Sequence, residues 1–213
     1  MNKIILSFAL IFSVIAAHAQ DNWKLKTEDE GIKVYMRSVE GTSFKAVKVN
    51  CQLEATPAQF VAVIMDIKNS VSWAYHTKSA TVLKQVSPSE LYYYSEVAVP
   101  WPVENRDFIC HIMVKQHPKT KVITIDAPCI GDYIPQKQGI VRVTQSVGKW
   151  VITPLGNNKL DIEYTLALDP GGNVPAWLIN LFAAEGPMQT FKRLKVQVQK
   201  PAYQHADLAY IAD

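Results

Sequence analysis

The chain has none of the short fingerprints that announce chemistry. It contains no G-x-S-x-G elbow, no G-x-G-x-x-G loop, no P-loop and no H-E-x-x-H pair, so the hydrolase, dinucleotide, nucleotide-phosphate and zincin signatures are all missing. An excess of one charge is also lacking. The 22 Lys and Arg face 19 Asp and Glu, with no block of like charge, which leaves no footprint for nucleic acid and no polybasic membrane patch. His76, His111, His117 and His205 show no ligand spacing with one another or with the cysteines, so neither a metal site nor a cofactor is expected. Cysteine is scarce as well. Cys51, Cys110 and Cys129 are odd in number, so at least one stays unpaired. Strand alternation puts Cys51 with Val47, Val49 and Leu53, and Cys110 with Phe108 and Ile112, which reads as buried, unreactive thiols.

Long hydrophobic runs are limited to one. After the basic start Met1-Asn2-Lys3, residues 4–16 are almost uniformly apolar and Ala17-His18-Ala19 is a small-x-small site, together the form of a secretory signal peptide cut near Gln20. The run is shorter than the ~20 residues a spanning helix needs, and no cysteine near the cut would carry a lipid. Residues 1–19 are therefore expected to be removed and the rest exported, to the periplasm or outside the cell. Residues 20–200 are expected to form one domain, a monomer, followed by a patternless tail over 201–213.

Within that domain the apolar pattern changes period in a fixed order. Residues 31–37 and 44–53 alternate as half-buried strands do. Thr56-Pro57-Ala58-Gln59 supplies an N-cap, a first-turn proline and a capping-box glutamine, which predicts a helix from Pro57 to about Asp66. A second helical piece is expected near residues 69–75. Seven strands should follow, near 80–86, 90–99, 106–116, 121–126, 139–146, 149–153 and 159–168, joined by short turns and hence antiparallel. Trp177, Leu181, Ala184, Met188, Phe191, Leu194 and Val198 then recur at helical steps, with Pro187 expected to kink the helix near Ala183. A sheet with one amphipathic helix laid along it is an α+β arrangement that can leave a cavity beneath the helix.

The polar stretch PWPVENRDF, residues 100–108, joins two of these strands. A hairpin centred on Trp101 sets Glu96 opposite Arg106, on a face shared with Tyr92, Tyr94 and Phe108, and turns Asp107 and His111 away. A carboxylate and a guanidinium among apolar side chains carry a large desolvation cost, which invites a functional explanation. A structural ion pair at the sheet margin, or a solvated turn, remains the plainer alternative. Arg142, between Val141 and Val143, is a weaker candidate of the same kind.

The segments PWPVENRDF, IPQKQGIVRV, KWVITPL and LDPGGNVPAWLINLFAAEGPMQTFKRL, in this order, resemble the signature segments of the START domain, the StAR-related lipid-transfer family, over residues 23–200. The nearest likeness is to its phosphatidylcholine-transfer-protein-like branch. The resemblance implies a helix-grip fold, a curved antiparallel sheet wrapped around the C-terminal helix, with a tunnel for one lipid or sterol. It also implies that Glu96 and Arg106 supply polar groups to that tunnel. The loop 127–139, with Ile130, Tyr133 and Ile134, is implied to form a lid with the last helix. In the phosphatidylcholine-binding branch a charged pair and an aromatic cage hold the headgroup. The matching positions here are Ser70 and Ala74, and Ser95, Phe108 and Ser146, which argues against that headgroup.

These readings converge on an exported, non-enzymatic binder of one hydrophobic molecule, with Glu96 and Arg106 orienting its polar end and transient contact with a membrane surface. Two alternatives stay open. One is a helix-grip enzyme of cyclase or hydrolase type using Glu96 with Tyr92 or Tyr94; the other is an envelope accessory protein without a ligand.

Overall fold

The computed structural model describes residues 22–39, 45–172, 174 and 181–212, with side chains of the last segment described from Ala183 onward. The expected signal peptide, Trp177 and the first turns of the expected closing helix lie outside the described residues, as does the side chain of Leu181. Ten strands are described: β1 (Lys24–Asp29), β2 (Ile32–Ser38), β3 (Lys45–Glu54), β4 (Thr77–Ser87), β5 (Glu90–Val97), β6 (Asn105–Gln116), β7 (Ile123–Pro128), β8 (Ile140–Val143), β9 (Ser146–Gly156) and β10 (Lys159–Leu168). They form one sheet in the order β1-β2-β3-β10-β9-β7-β6-β5-β4, antiparallel throughout, with β8 added beside β6.

Local chemistry accounts for most of these elements. Ile32, Val34 and Met36 of β2 and Val47, Val49, Cys51 and Leu53 of β3 are buried on one face at a period of two, the signature of a strand with one solvated side. The β9–β10 hairpin turns through Asn157 and Asn158, both with positive φ (51° and 54°), a geometry that asparagine tolerates and that matches the twist of the flanking strands. Two departures from expectation have physical causes. Strand β1 (KLKTED) is exposed on nearly every side chain, so it carries no apolar alternation to announce it. Strand β8 is parallel to β6, pairing Arg106 with Val141 and Asp107 with Arg142, because the segment between β7 and β8 returns the chain to the same end of β6.

Helix α1 (Pro57–Met65) starts on the expected capping box: Gln59 N donates to Thr56 Oγ1 (3.2 Å) and Thr56 N to Gln59 Oε1 (2.7 Å). It buries Phe60, Val61, Val63 and Ile64 against the sheet. The second helical piece is a 3-10 turn over Ile67–Ser72. At the C-terminus a π-helical turn (Leu181–Glu185) passes directly into helix α2 (Gly186–Gln197). That change of winding falls where Pro187 has no N–H to offer the carbonyl four residues back, at Ala183. Met188, Phe191 and Leu194 form the buried stripe of α2, and its C-cap Val198 continues it, at steps of three and four.

The tail packs on the core although its sequence carries no period. A 3-10 turn at Pro201–Tyr203 and the residues after it place Tyr203 and Ile211 in the main core. Tyr203 Oη donates to Asp66 Oδ2 (3.0 Å) and accepts from Gln197 Nε2 (3.1 Å), while Gln116 and Ala212 exchange two hydrogen bonds. Two buried residues eight apart give no periodic signal, so this packing is decided by the tertiary fold.

Candidate functional site

A cavity of about 270 Å³ lies between the inner face of the sheet, the α1 and 3-10 region, and α2. Strand β5 contributes Tyr93, Ser95 and Val97, and β6 contributes Phe108, Cys110 and Ile112. Strands β9 and β10 add Ser146, Gly148, Trp150, Tyr164 and Leu166; Ser70, Trp73, Ala74 and Tyr75 close one side, and Thr190 and Phe191 of α2 another. Trp150 stacks on Phe191 at 5.4 Å and lies 4.3 Å from the Tyr164 ring.

These residues overturn the face assignment made from the sequence. Glu96 stands opposite Asp107, and Val97 opposite Arg106, one position away from the expected pairing. A one-residue slip moves every side chain of a strand to the other face. Tyr92, Tyr94 and Glu96 therefore lie on the outer face with Asp107 and His111, while Tyr93 and Ser95 take the cavity positions. The seven-residue connection between β5 and β6 carries no apolar alternation, so the sequence had nothing with which to set the register.

The charges are consequently distributed otherwise than expected. Glu96 accepts hydrogen bonds from Lys78 Nζ (2.9 Å) and Asn105 Nδ2 (2.8 Å); the Lys78 ammonium, helped by Asn105, holds its carboxyl below the usual range despite burial. Arg106, 4% exposed, has no carboxylate among these partners. Its guanidinium donates to three backbone carbonyls, those of Glu104 (2.5 Å), Pro170 (3.4 Å) and Gly171 (3.4 Å). Arg106 thus fastens the turn before the closing helix. Neither Glu96 nor Arg106 lines the cavity.

The buried ion pair of this region is Asp107–Arg142. Asp107 is fully buried and accepts from Arg142 Nε (2.6 Å) and Nη2 (3.0 Å) in a two-pronged pair. Arg142 also donates to the carbonyls of Gly131 (3.0 Å), Ile134 (3.1 Å) and Pro135 (3.4 Å). The guanidinium therefore ties the 129–139 segment to the outer face of the sheet. Tyr133 stacks there on Tyr92 (4.9 Å), which stacks in turn on His111 (4.2 Å). Ile130, Tyr133 and Ile134, which the lid loop offers for lipid or membrane contact, do not line the cavity. Of the other sequence candidates, Phe108 and Phe191 line it, and Met188 is in the adjoining core.

Among the described residues no Asp, Glu, Lys, Arg or His lines the cavity. Its polar groups are hydroxyls, phenols, a thiol and the indoles of Trp73 and Trp150. Burial pushes the phenols of Tyr93 and Tyr164 well above the ordinary value, so both are neutral donors at physiological pH. The Ser70 hydroxyl is already used on the Ile67 carbonyl (2.7 Å), and Thr190 Oγ1 on Tyr75 N (3.1 Å). Trp73 differs: it is 7% exposed and its Nε1 has no hydrogen-bond partner. A buried donor left unpaired costs about 1–3 kcal/mol, so Trp73 favours a molecule in the cavity whose acceptor reaches this nitrogen. Sequence reasoning did not single out Tyr93, Trp150 and Tyr164; the correct register would have found the first, since it alternates with Ser95.

The family model for the START domain matches residues 8–203. An uncharacterized protein of Pseudomonas aeruginosa is 32% identical over 194 residues, 90% of this chain and 94% of that protein. The phosphatidylcholine transfer protein of Mus musculus is 28% identical over 169 residues, 78% of each chain. Among solved structures, a STAR-related lipid transfer protein fragment from Xanthomonas axonopodis superposes with a TM-score of 0.77 at 32% identity, covering 84% of this chain and all of that one. The positions that the resemblance matched to a headgroup site, Ser70, Ala74, Ser95, Phe108 and Ser146, are all on the cavity wall. With its sheet, its closing helix and a family model spanning nearly its whole length, the chain belongs to the START-domain family.

Proposed function

We propose that this protein binds, without turning it over, one uncharged amphiphile whose apolar part fills the cavity and whose acceptor oxygen meets the Trp73 indole. The observation that carries this reading is that, among the described residues, an uncharged, aromatic-rich wall includes one unsatisfied buried donor, Trp73 Nε1. Membership of a family whose relatives include lipid transfer proteins supports a lipid as the ligand class. Contact with the apolar wall supplies affinity at ~25 cal/mol per Å² of buried surface before ordering costs are subtracted. A phosphocholine headgroup would bring two charges to a wall with no counter-charge, a large desolvation cost without repayment. The volume, about 270 Å³, is at the lower edge of the ~300–1,000 Å³ typical of small-molecule sites, which fits one ligand.

Residues 1–19 have the form of a signal peptide, and the reading places the domain outside the cytoplasm as a monomer that meets membranes transiently. Trp101, 91% exposed in the β5–β6 connection, is the side chain best suited to that contact, since an indole settles at a membrane interface.

The test is native mass spectrometry of the protein purified from its own cells, together with loading from phosphatidylcholine vesicles carrying a labelled monoacylglycerol. The expected result is one retained neutral lipid per chain and uptake of the monoacylglycerol but not of phosphatidylcholine. Retention of phosphatidylcholine, or conversion of the loaded molecule on incubation, would overturn the reading.

A further inference from the structure

Cys110 and Cys129 meet at the cavity wall. Cys110 lines the cavity from β6, and Cys129 is the first residue after β7, where the segment to β8 begins. Their sulfurs are 3.1 Å apart. They face each other across an isolated antiparallel bridge, in which Ile130 N donates to the Ile109 carbonyl (2.7 Å). That bond joins the residues flanking the pair, so Cys110 and Cys129 are opposed without bonding each other's backbone. In such a position the Cα atoms stand about 4.5 Å apart and the side chains approach most closely. The spacing falls inside the ~4.4–6.8 Å window in which a disulfide closes without backbone movement.

We propose that Cys110 and Cys129 form a disulfide that staples the start of the 129–139 segment to strand β6. Cys129 is the more accessible of the two, and the Cys110 thiol and the Ser146 hydroxyl both favour its thiolate. Cys129 attacks the disulfide of a small-molecule or protein disulfide donor, giving a mixed disulfide and releasing one donor thiol. Cys110 then attacks the Cys129 sulfur and releases the second. In balance, two protein thiols and one donor disulfide become one protein disulfide and two donor thiols, each carrying one of the two protons. Cys51 takes no part. It is 4% exposed in the core and burial pushes its thiol up to about 12, so it is the odd thiol left over.

The staple is tested on the folded chain equilibrated with oxidised glutathione and then with dithiothreitol. Oxidation is expected to lower the intact mass by about 2 Da and link the peptides that contain Cys110 and Cys129. One thiol should label after denaturation, and the thermal midpoint should be roughly 6–12 °C above that of the reduced form, given the short loop enclosed. Cys129→Ser should show neither the mass loss nor the midpoint shift under the same treatment. Three labelled thiols after oxidation, a bond that includes Cys51, or a disulfide between two chains would overturn the proposal. None of these readouts involves a ligand, so their failure is separate from failure of the binding reading.

Discussion

Trp73, Asp107 and Arg106 show how differently buried polar side chains can be employed. Trp73 Nε1 has no protein partner, and Trp73→Phe removes this donor together with the fused five-membered ring. The expected outcome is a lowered thermal midpoint from the void left in the core and at least roughly a 5-fold loss of ligand affinity, the value of about 1 kcal/mol of hydrogen bonding, read by titration of a fluorescent monoacylglycerol at a temperature where the variant is fully folded. Asp107, by contrast, is committed to Arg142 with almost no exposure on either side. Asp107→Asn leaves a buried guanidinium without its counter-charge and should cost about 3–5 kcal/mol, measured as a drop in the urea midpoint. A loss below 1 kcal/mol would mean that the carbonyls around Arg142 satisfy it alone. Arg106 illustrates a third use, a guanidinium spent on backbone carbonyls at 170 and 171, where the chain must turn toward its last helix.

At the level of elements, the sheet and α1 were legible because each has a local cause. The Thr56–Gln59 capping box, the alternation of β2 and β3 and the Asn157-Asn158 turn all point to the structure that forms. Strand β1 was not legible, since five polar residues around one exposed leucine read the same in a strand or a loop. The loop 127–139 was implied by the START resemblance to form a lid, and its Ile130, Tyr133 and Ile134 stand off the cavity wall. Its position is decided by three carbonyls that converge on one guanidinium. Arg142→Met is therefore expected to raise amide hydrogen exchange in residues 130–139 at least 10-fold, while exchange in β2, β3 and β10 follows only the global change in stability. Uniform exchange across the sheet and this segment would argue against the tether.

The whole molecule adds couplings that no element contains. Removing residues 201–213 takes Tyr203 and Ile211 out of the core. At about 1.5–3 kcal/mol for each buried side chain, the truncated chain should unfold at clearly lower urea than the full chain; an unchanged midpoint would show that the tail only rests on the surface. Acid response is also a property of the whole. The Lys78 and Asn105 contacts lower the Glu96 pKa from its ordinary value of 4.5, so the folded state binds this proton less readily than the unfolded state. The stabilisation is then fully present above about 4.5, the ordinary carboxyl value, and is lost as pH falls through the lowered folded value. Glu96→Gln should narrow the gap in urea midpoint between pH 7 and pH 3 relative to the unsubstituted protein, and an identical gap would remove Glu96 from the acid response.

The sequence by itself determined the element order from β2 onward, the amphipathic faces of β2, β3 and the last helix, and the START resemblance, because period, capping and turn chemistry act over a few neighbouring residues. Tertiary structure alone decided the charge pairing and the cavity wall. Which residue faces Glu96 depends on the register between β5 and β6. That register follows from how the whole sheet closes over α2, and one position of slip exchanges the inside of the molecule for the outside.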